Sequence, residues 1–166
     1  MTKTHLVPCP QQIWCYLLQM GHEYLELKNT AAAITAYRRA VDINRRDYRA
    51  WYGLGQTYEI LQMPLYALYY FGKACELRPY DSRMWTAMAE CYEAIGNIPN
   101  AILCYERAVT NRDPQGIALN KLAKLYEAMG DMDKAAYYYK RNLDLLDHGG
   151  AVRSSSNFKA YNVNHS

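Results

Sequence analysis

No strong charge of either sign marks this chain: 19 Lys and Arg stand against 16 Asp and Glu over 166 residues, a formal net charge of +3. Such a balance supplies no bulk field for a nucleic acid or a membrane surface, and neither is expected as a partner. Long apolar runs are missing too. The most notable uncharged stretch, Ile60 to Gly72, is too short to cross a bilayer. The start, MTKTHLVPCPQQIWCYLLQM, breaks its apolar residues with prolines and glutamines and does not read as a secretory leader. Cys9, Cys15, Cys75, Cys91 and Cys104 form no CxxC pair and no metal-ligand spacing with the four histidines. An odd, scattered set of thiols suits a reducing compartment, so a soluble intracellular protein is expected.

Catalytic signatures are equally scarce. Glu90 and Glu93 share a helix, but nothing around them in sequence would shift a pKa in a defined way. His22-Glu23 is not followed by a second histidine at zinc-ligand spacing, and Gly53-Leu54-Gly55 lies inside a helical pattern rather than after a strand. No serine or cysteine has the setting of a nucleophile. The chain is therefore read as non-enzymatic, with no cofactor and no metal.

What is present is a repeat. Trp51, Leu54, Gly55 and Tyr58 lie at i, i+3, i+4 and i+7, one face of a helix. Steps of 34 residues carry Trp51 to Trp85 and Leu119, and back to Leu17. Tyr58 returns as Tyr24, Tyr92 and Tyr126, and Gly55 as the small residues Gly21, Ala89 and Ala123. Further along, Ala33, Ala67, Ala101 and Ala135 share one slot, and Tyr37, Phe71, Tyr105 and Tyr139 another. A third slot holds Ala40, Ala74 and Ala108 and fails only at Asn142.

This is the 34-residue tetratricopeptide pattern. It predicts an all-α, right-handed superhelix of four helix-turn-helix repeats, 14–47, 48–81, 82–115 and 116–149. Each has a helix A and a helix B joined at KNT, QMP, GNI or GDM, residue types that tolerate tight bends. The small residue of helix A is expected to let helix B approach, with the aromatic residues filling the space between units. Residues 1–13 follow no repeat logic, and 150–166 read as a disordered polar tail. No polar capping helix is found. Both ends should expose apolar surface, as in a piece of a longer solenoid or a chain with an obligate partner.

A solenoid offers its concave groove, lined by helix A, as a binding surface. The repeat register places Arg49, Tyr52 and Gln56 there in repeat two, Arg83 and Glu90 in repeat three, and Asn120 and Lys124 in repeat four. Arg49 and Arg83, one repeat apart, would bind carboxylates of a partner segment. Only Asn120 and Lys124 resemble the lysines and asparagines with which some co-chaperones clamp a C-terminal carboxylate. The arginines 38, 39, 45, 46 and 49 read as cations at a helix C-terminus, or as a nuclear-import or nucleic-acid signal. Tyr66, Tyr69, Tyr70, Tyr137 and Tyr138 are either packing positions or a convex binding face.

The residues that the repeat leaves free are informative. MGHEYLELKNTAAAITAYRRAVDINRRDYRAWYGLGQTYEI, then LRPYDSRMW, then IALNKLAKLYE, resemble subunit eight of the anaphase-promoting complex/cyclosome. The resemblance runs from about Met20 to about Leu146 and includes solvent-facing Lys28-Asn29-Thr30 and Pro79 to Arg83. It implies a non-catalytic scaffold in a multisubunit ubiquitin ligase of the nucleus and cytoplasm, which directs destruction of cell-cycle regulators. Other ligase subunits would then be the partners. That family carries its homodimer interface and much of its coactivator binding on earlier repeats that have no counterpart here, so a homodimer is not expected. Residues 1–19 diverge from the family. The other readings are an independent co-chaperone-like peptide adaptor and a regulatory repeat region of an enzyme.

Overall fold

The computed structural model describes the backbone of residues 9–161, and the side chains of residue 9 and of residues 12–147. Eight helices follow one another: α1 (Pro10–Glu26), α2 (Thr30–Ile43), α3 (Tyr48–Ile60), α4 (Pro64–Leu77), α5 (Ser82–Ile95), α6 (Ile98–Thr110), α7 (Ile117–Ala128) and α8 (Met132–Tyr161). Each packs on its sequence neighbours, and α1 also meets α3. Odd-numbered helices are the A members and even-numbered helices the B members of four stacked hairpins.

The turn inside each hairpin is closed in one way. Lys28, Gln62, Gly96 and Gly130 all take left-handed backbone conformations, with φ of 57°, 58°, 84° and 82°. The next residue then donates its N–H five residues back: Asn29 to Tyr24, Met63 to Tyr58, Asn97 to Tyr92 and Asp131 to Tyr126, at 2.8 to 2.9 Å. This end-of-helix motif satisfies carbonyls that the helix leaves bare. The residue that closes helix A also opens helix B. The Oδ1 atoms of Asn29, Asn97 and Asp131 accept the N–H groups of Ala32, Asn100 and Lys134. Met63 cannot do so, and there Pro64 at the first helical position supplies the start instead.

Between hairpins, tryptophan holds the loop. Trp51 Nε1 donates to the Arg45 carbonyl at 2.9 Å, and Trp85 Nε1 to the Pro79 carbonyl at 2.7 Å. Leu119 cannot make this bond, and the preceding loop is fastened by Asp113, whose Oδ2 accepts Ala118 N–H at 2.7 Å.

The interior shows why small residues recur on helix A. A Cβ on Gly55 would collide with the ring of Phe71, while Tyr37 lies so that a Cβ on either Gly21 or Gly53 would strike it. One ring of α2 is thus pressed against two helix A backbones, those of α1 and α3. Ala33, Ala67 and Ala101, fully buried, hold the reciprocal slot on helix B. The core runs through the array as adjoining clusters, one over α1 to α5 and one over α5 to α8, with Ala74, Cys75 and Met84 between them.

Two sequence-defined bounds differ from the structure. Helix α1 begins at Pro10, with Cys9 and Gln12 forming its N-terminal box, so the first hairpin reaches back into 1–13; residues 1–8 lie outside the described residues. Helix α8 continues through Tyr161, so 150–161 are helical in backbone and only 162–166 of the expected tail fall outside the described residues. Two glycines weaken a helix by about 1 kcal/mol each, yet unlike proline they remove no backbone donor, and the ladder runs on.

Two substitutions test this packing by urea unfolding. Gly55→Leu should lose about 1–3 kcal/mol or more, because Phe71 leaves no room for the new chain. Gln62→Gly should gain about 1 kcal/mol, since a left-handed residue with a Cβ is strained by roughly 1–2 kcal/mol. Equal midpoints for parent and both variants would contradict the assignment.

Candidate protein-binding groove

The A helices line an inner face with a concavity between repeats two and three. A concavity of about 330 Å³ is bounded there by Tyr52, Gln56 and Glu59 of α3 and by Arg83, Thr86 and Glu90 of α5; the loop before α7 closes one side. Glu59 and Glu90 also border the adjoining hollow of about 290 Å³ at the α3–α4 turn. Tyr52 lies against Phe71, ring centres 5.3 Å apart, so a core residue holds the groove's aromatic wall.

Of the sequence-assigned residues, the structure brings Tyr52, Gln56, Arg83 and Glu90 together and leaves three apart. Arg49 sits at the loop edge with Asn44, Arg46 and Arg78, its guanidinium 5.2 Å from the centre of the Trp14 ring. Asn120 is half-buried and Lys124 exposed on α7, and neither borders the concavity. Lys121 is the α7 cation that reaches the inner-face carboxylates, with Nζ 3.3 Å from Glu90 and 3.9 Å from Glu93. It stands one helical position after Asn120, where the other repeats carry Gln19, Gly53 and Ala87. A register based on groove slots passes over it.

Both groove arginines are engaged within the chain. Arg49 and Arg83 each place Nη2 2.7 Å from an oxygen of the aspartate two residues earlier, Asp47 and Asp81. The same aspartates accept the arginines' backbone N–H groups at 2.8 and 3.0 Å, so each pair closes the start of its A helix. The hydrogen bond from the Arg83 side chain holds the Asp81 carboxyl below the usual carboxylate range. A partner's carboxylate would meet only the guanidinium donors that these aspartates leave over.

The carboxylates of the inner face differ by one atom on helix B. Tyr105 donates its hydroxyl to Glu93 Oε2, and Tyr139 to Glu127 Oε2, each at 2.9 Å. Phe71 holds that slot opposite Glu59 and has no hydroxyl to give. Burial, and then the nearby charge of Glu90, push the Glu59 carboxyl above its ordinary 4.5. In repeat one, Tyr37 shares a hydrogen bond of 2.8 Å with His22 Nδ1.

The tyrosines divide between the two readings. Tyr70 stacks on Tyr58 and Tyr138 on Tyr126, at 5.2 and 5.6 Å, packing helix B on helix A. Tyr66, Tyr69 and Tyr137 are more than half exposed. The arginine run is dispersed: Arg38 donates to the Tyr58 hydroxyl at 2.9 Å, and Arg49 is held by Asp47. Burial raises the Cys75 and Cys91 thiols to about 11 and 12, which keeps both protonated and unreactive at neutral pH. Among the described residues no cluster could hold a metal ion, and no helix is long and apolar enough to cross a membrane.

Comparison with known proteins agrees with this architecture. Residues 21–61 match a family model described as TPR repeat, and residues 86–147 one described as tetratricopeptide repeat. The chain is a tetratricopeptide-repeat superhelix, a scaffold for protein–protein interaction. Among solved structures, MamA superposes with a TM-score of 0.78 at 21% identity, over 83% of this chain and 81% of that one. PilF of Pseudomonas aeruginosa gives 0.71 at 19% identity, over 82% and 62%. Two curated proteins share shorter stretches. Protein bimA of Emericella nidulans is 40% identical over 50 residues, 30% of this chain and 6% of its own length. Anaphase-promoting complex subunit 3 of Schizosaccharomyces pombe is 42% identical over 45 residues, 27% of this chain and 7% of its own length.

Glu59 yields a pH-dependent prediction. Its charged form is disfavoured in the folded state, which therefore binds the proton more tightly than the unfolded chain does. The resulting cost to stability is present at neutral pH and disappears as pH falls below 4.5. Glu59→Gln should melt higher than the parent at pH 7, with the difference gone by about pH 3. An unchanged melt at pH 7 would contradict the assigned environment.

Proposed function

We propose that this chain is a non-catalytic scaffold of the anaphase-promoting complex/cyclosome type, acting through other subunits of a ubiquitin ligase in the nucleus and cytoplasm. The observation that carries the reading is the stretch 42% identical to a protein named anaphase-promoting complex subunit 3. The resemblance of Met20 to Leu146 to subunit eight supports it from the solvent-facing positions. The four repeats are taken as 14–47, 48–81, 82–115 and 116–149, with the first A helix starting earlier, at Pro10.

In this reading a partner segment lies along the inner face of repeats two to four. Tyr52 supplies contact area and Arg83 its outward donors. Gln56, with Asn120 and Lys124 further along, sets register. Glu59, beside a Glu90 that Lys121 already pairs, favours a basic side chain of the partner, because a second cation there would relieve the repulsion that remains.

Affinity purification from cells, followed by mass spectrometry, tests the assignment. The parent should recover ligase subunits, and Glu59→Lys with Glu90→Lys should reduce that recovery at least tenfold while the circular dichroism spectrum stays helical. Tyr69→Ala on the convex side should leave recovery intact. Chaperones recovered in place of ligase subunits would overturn the reading, and loss with Tyr69→Ala alone would move the interface to the convex face.

A further inference from the structure

Successive loops between hairpins lie side by side, and arginine collects along them. A hollow of about 290 Å³ is bordered by Arg46 and Arg49, at the entry to α3, and by Arg78, just after α4. Asp47 is the one carboxylate on its lining. The Asp47 side chain is only 9% exposed, and its oxygens already accept the backbone N–H, Nε and Nη2 of Arg49. Neither Arg46 nor Arg78 has an ion pair among the described residues. Two of the three cations in this hollow are therefore unanswered.

Aromatic rings restrain two of the three. Arg49 Cζ lies 5.2 Å from the centre of the Trp14 ring, and Arg78 Cζ 4.8 Å from that of Tyr48. Such contacts hold a guanidinium without giving its N–H groups an acceptor. Groups restrained before a ligand arrives lose less side-chain entropy on binding it. Arg46 is exposed at the rim, where its backbone N–H donates to Asn44 Oδ1 at 3.1 Å and shapes the loop.

The next loop along serves as an internal comparison. Its hollow of about 540 Å³ has Arg78 and Arg83 with Asp81, and Tyr80 stands in the slot of Arg46. Asp81 pairs with Arg83 as Asp47 does with Arg49, so only one cation is left over there. Arg83, Ser82 and Pro114 also border the concave groove. The arginine hollow is thus joined to the groove through Arg78 and then Arg83.

Charge and continuity together select the ligand. A carboxylate brings one negative charge, whereas a phosphomonoester brings about −1.5 to −2 at pH 7, on three acceptor oxygens. The phosphomonoester matches two unanswered guanidinium groups, and charge-assisted hydrogen bonds would hold it. We propose that Arg46, Arg49 and Arg78 bind a phosphorylated serine or threonine of a partner protein, on a segment that continues from the groove. Arg46 and Arg78 supply the main donors, and Arg49 those that Asp47 leaves over. The arginine site stands on the loop residues alone; only the path of the segment rests on the proposed use of the groove.

The test uses the full chain and a fluorescent peptide, Gly-Ala-Gly-phosphoserine-Gly-Ala-Gly, followed by anisotropy. This peptide lacks the basic residue that the groove favours, so its binding does not depend on the ligase reading. It should bind at least tenfold more tightly than the same peptide with unmodified serine. Arg46→Gln, which breaks no ion pair, should weaken binding at least threefold, and Arg46→Gln with Arg78→Gln should abolish the preference for phosphate while the circular dichroism spectrum stays helical. Arg112→Gln, in the slot of Arg78 one repeat on and outside both hollows, should bind as the parent does. Equal binding of the two peptides, or a phosphate preference that survives the double substitution, overturns the proposal. Inorganic phosphate that displaces the probe as well as unlabelled phosphopeptide does overturns it in favour of a free anion. Tighter binding of a thymidine decanucleotide overturns it in favour of nucleic acid.

Discussion

The array depends on how closely an aromatic ring of one helix can lie on the bare backbone of another. Tyr37 shows this most plainly. Its ring occupies the volume in which Gly21 of α1 and Gly53 of α3 would each carry a Cβ, so one side chain of helix B sets the spacing to its own helix A and to the next. Phase is then fixed for everything that follows. The left-handed turn residues, the asparagine and aspartate N-caps and the tryptophan bonds to the loops all adjust to a spacing that the ring and the glycines impose. A helix interior pays roughly 1 kcal/mol for glycine over alanine, and the buried ring more than offsets it.

The hairpins were legible in the sequence because that spacing leaves a period. Gly55, Ala89 and Ala123 are small for one reason, and the 34-residue interval exposes it. Gly53 was harder to read. Its slot holds Gln19, Ala87 and Lys121 elsewhere, so its contact with Tyr37 is a local requirement with no repeating signature. Lys28 and Gln62 take left-handed conformations without being glycine, which only the equivalence to Gly96 and Gly130 could have suggested. The length of α8 was not legible, since composition separates neither a polar helix from a polar coil nor a backbone ladder from its absence. Of the groove residues, Tyr52, Gln56, Arg83 and Glu90 followed from helical register. The register could not show that Asp47 and Asp81 already hold the two arginines, because those contacts span two residues across a helix start and have no period of their own.

The groove is polar and charged. Glu93 and Glu127 each accept a tyrosine hydroxyl at 2.9 Å, whereas Glu59 faces Phe71 and lacks that donor. Tyrosine stands in this slot in the other three repeats, and in the first of them Tyr37 meets His22 instead of a glutamate.

The central claim is that one ring couples two A helices, so disruption at Tyr37 must spread in both directions along the stack. Amide hydrogen exchange on Tyr37→Ala tests it most directly. The account predicts lost protection in α1 and α3 as well as α2, with α6 and α7 exchanging as in the parent. Loss confined to α2, with α1 and α3 as protected as before, would contradict it.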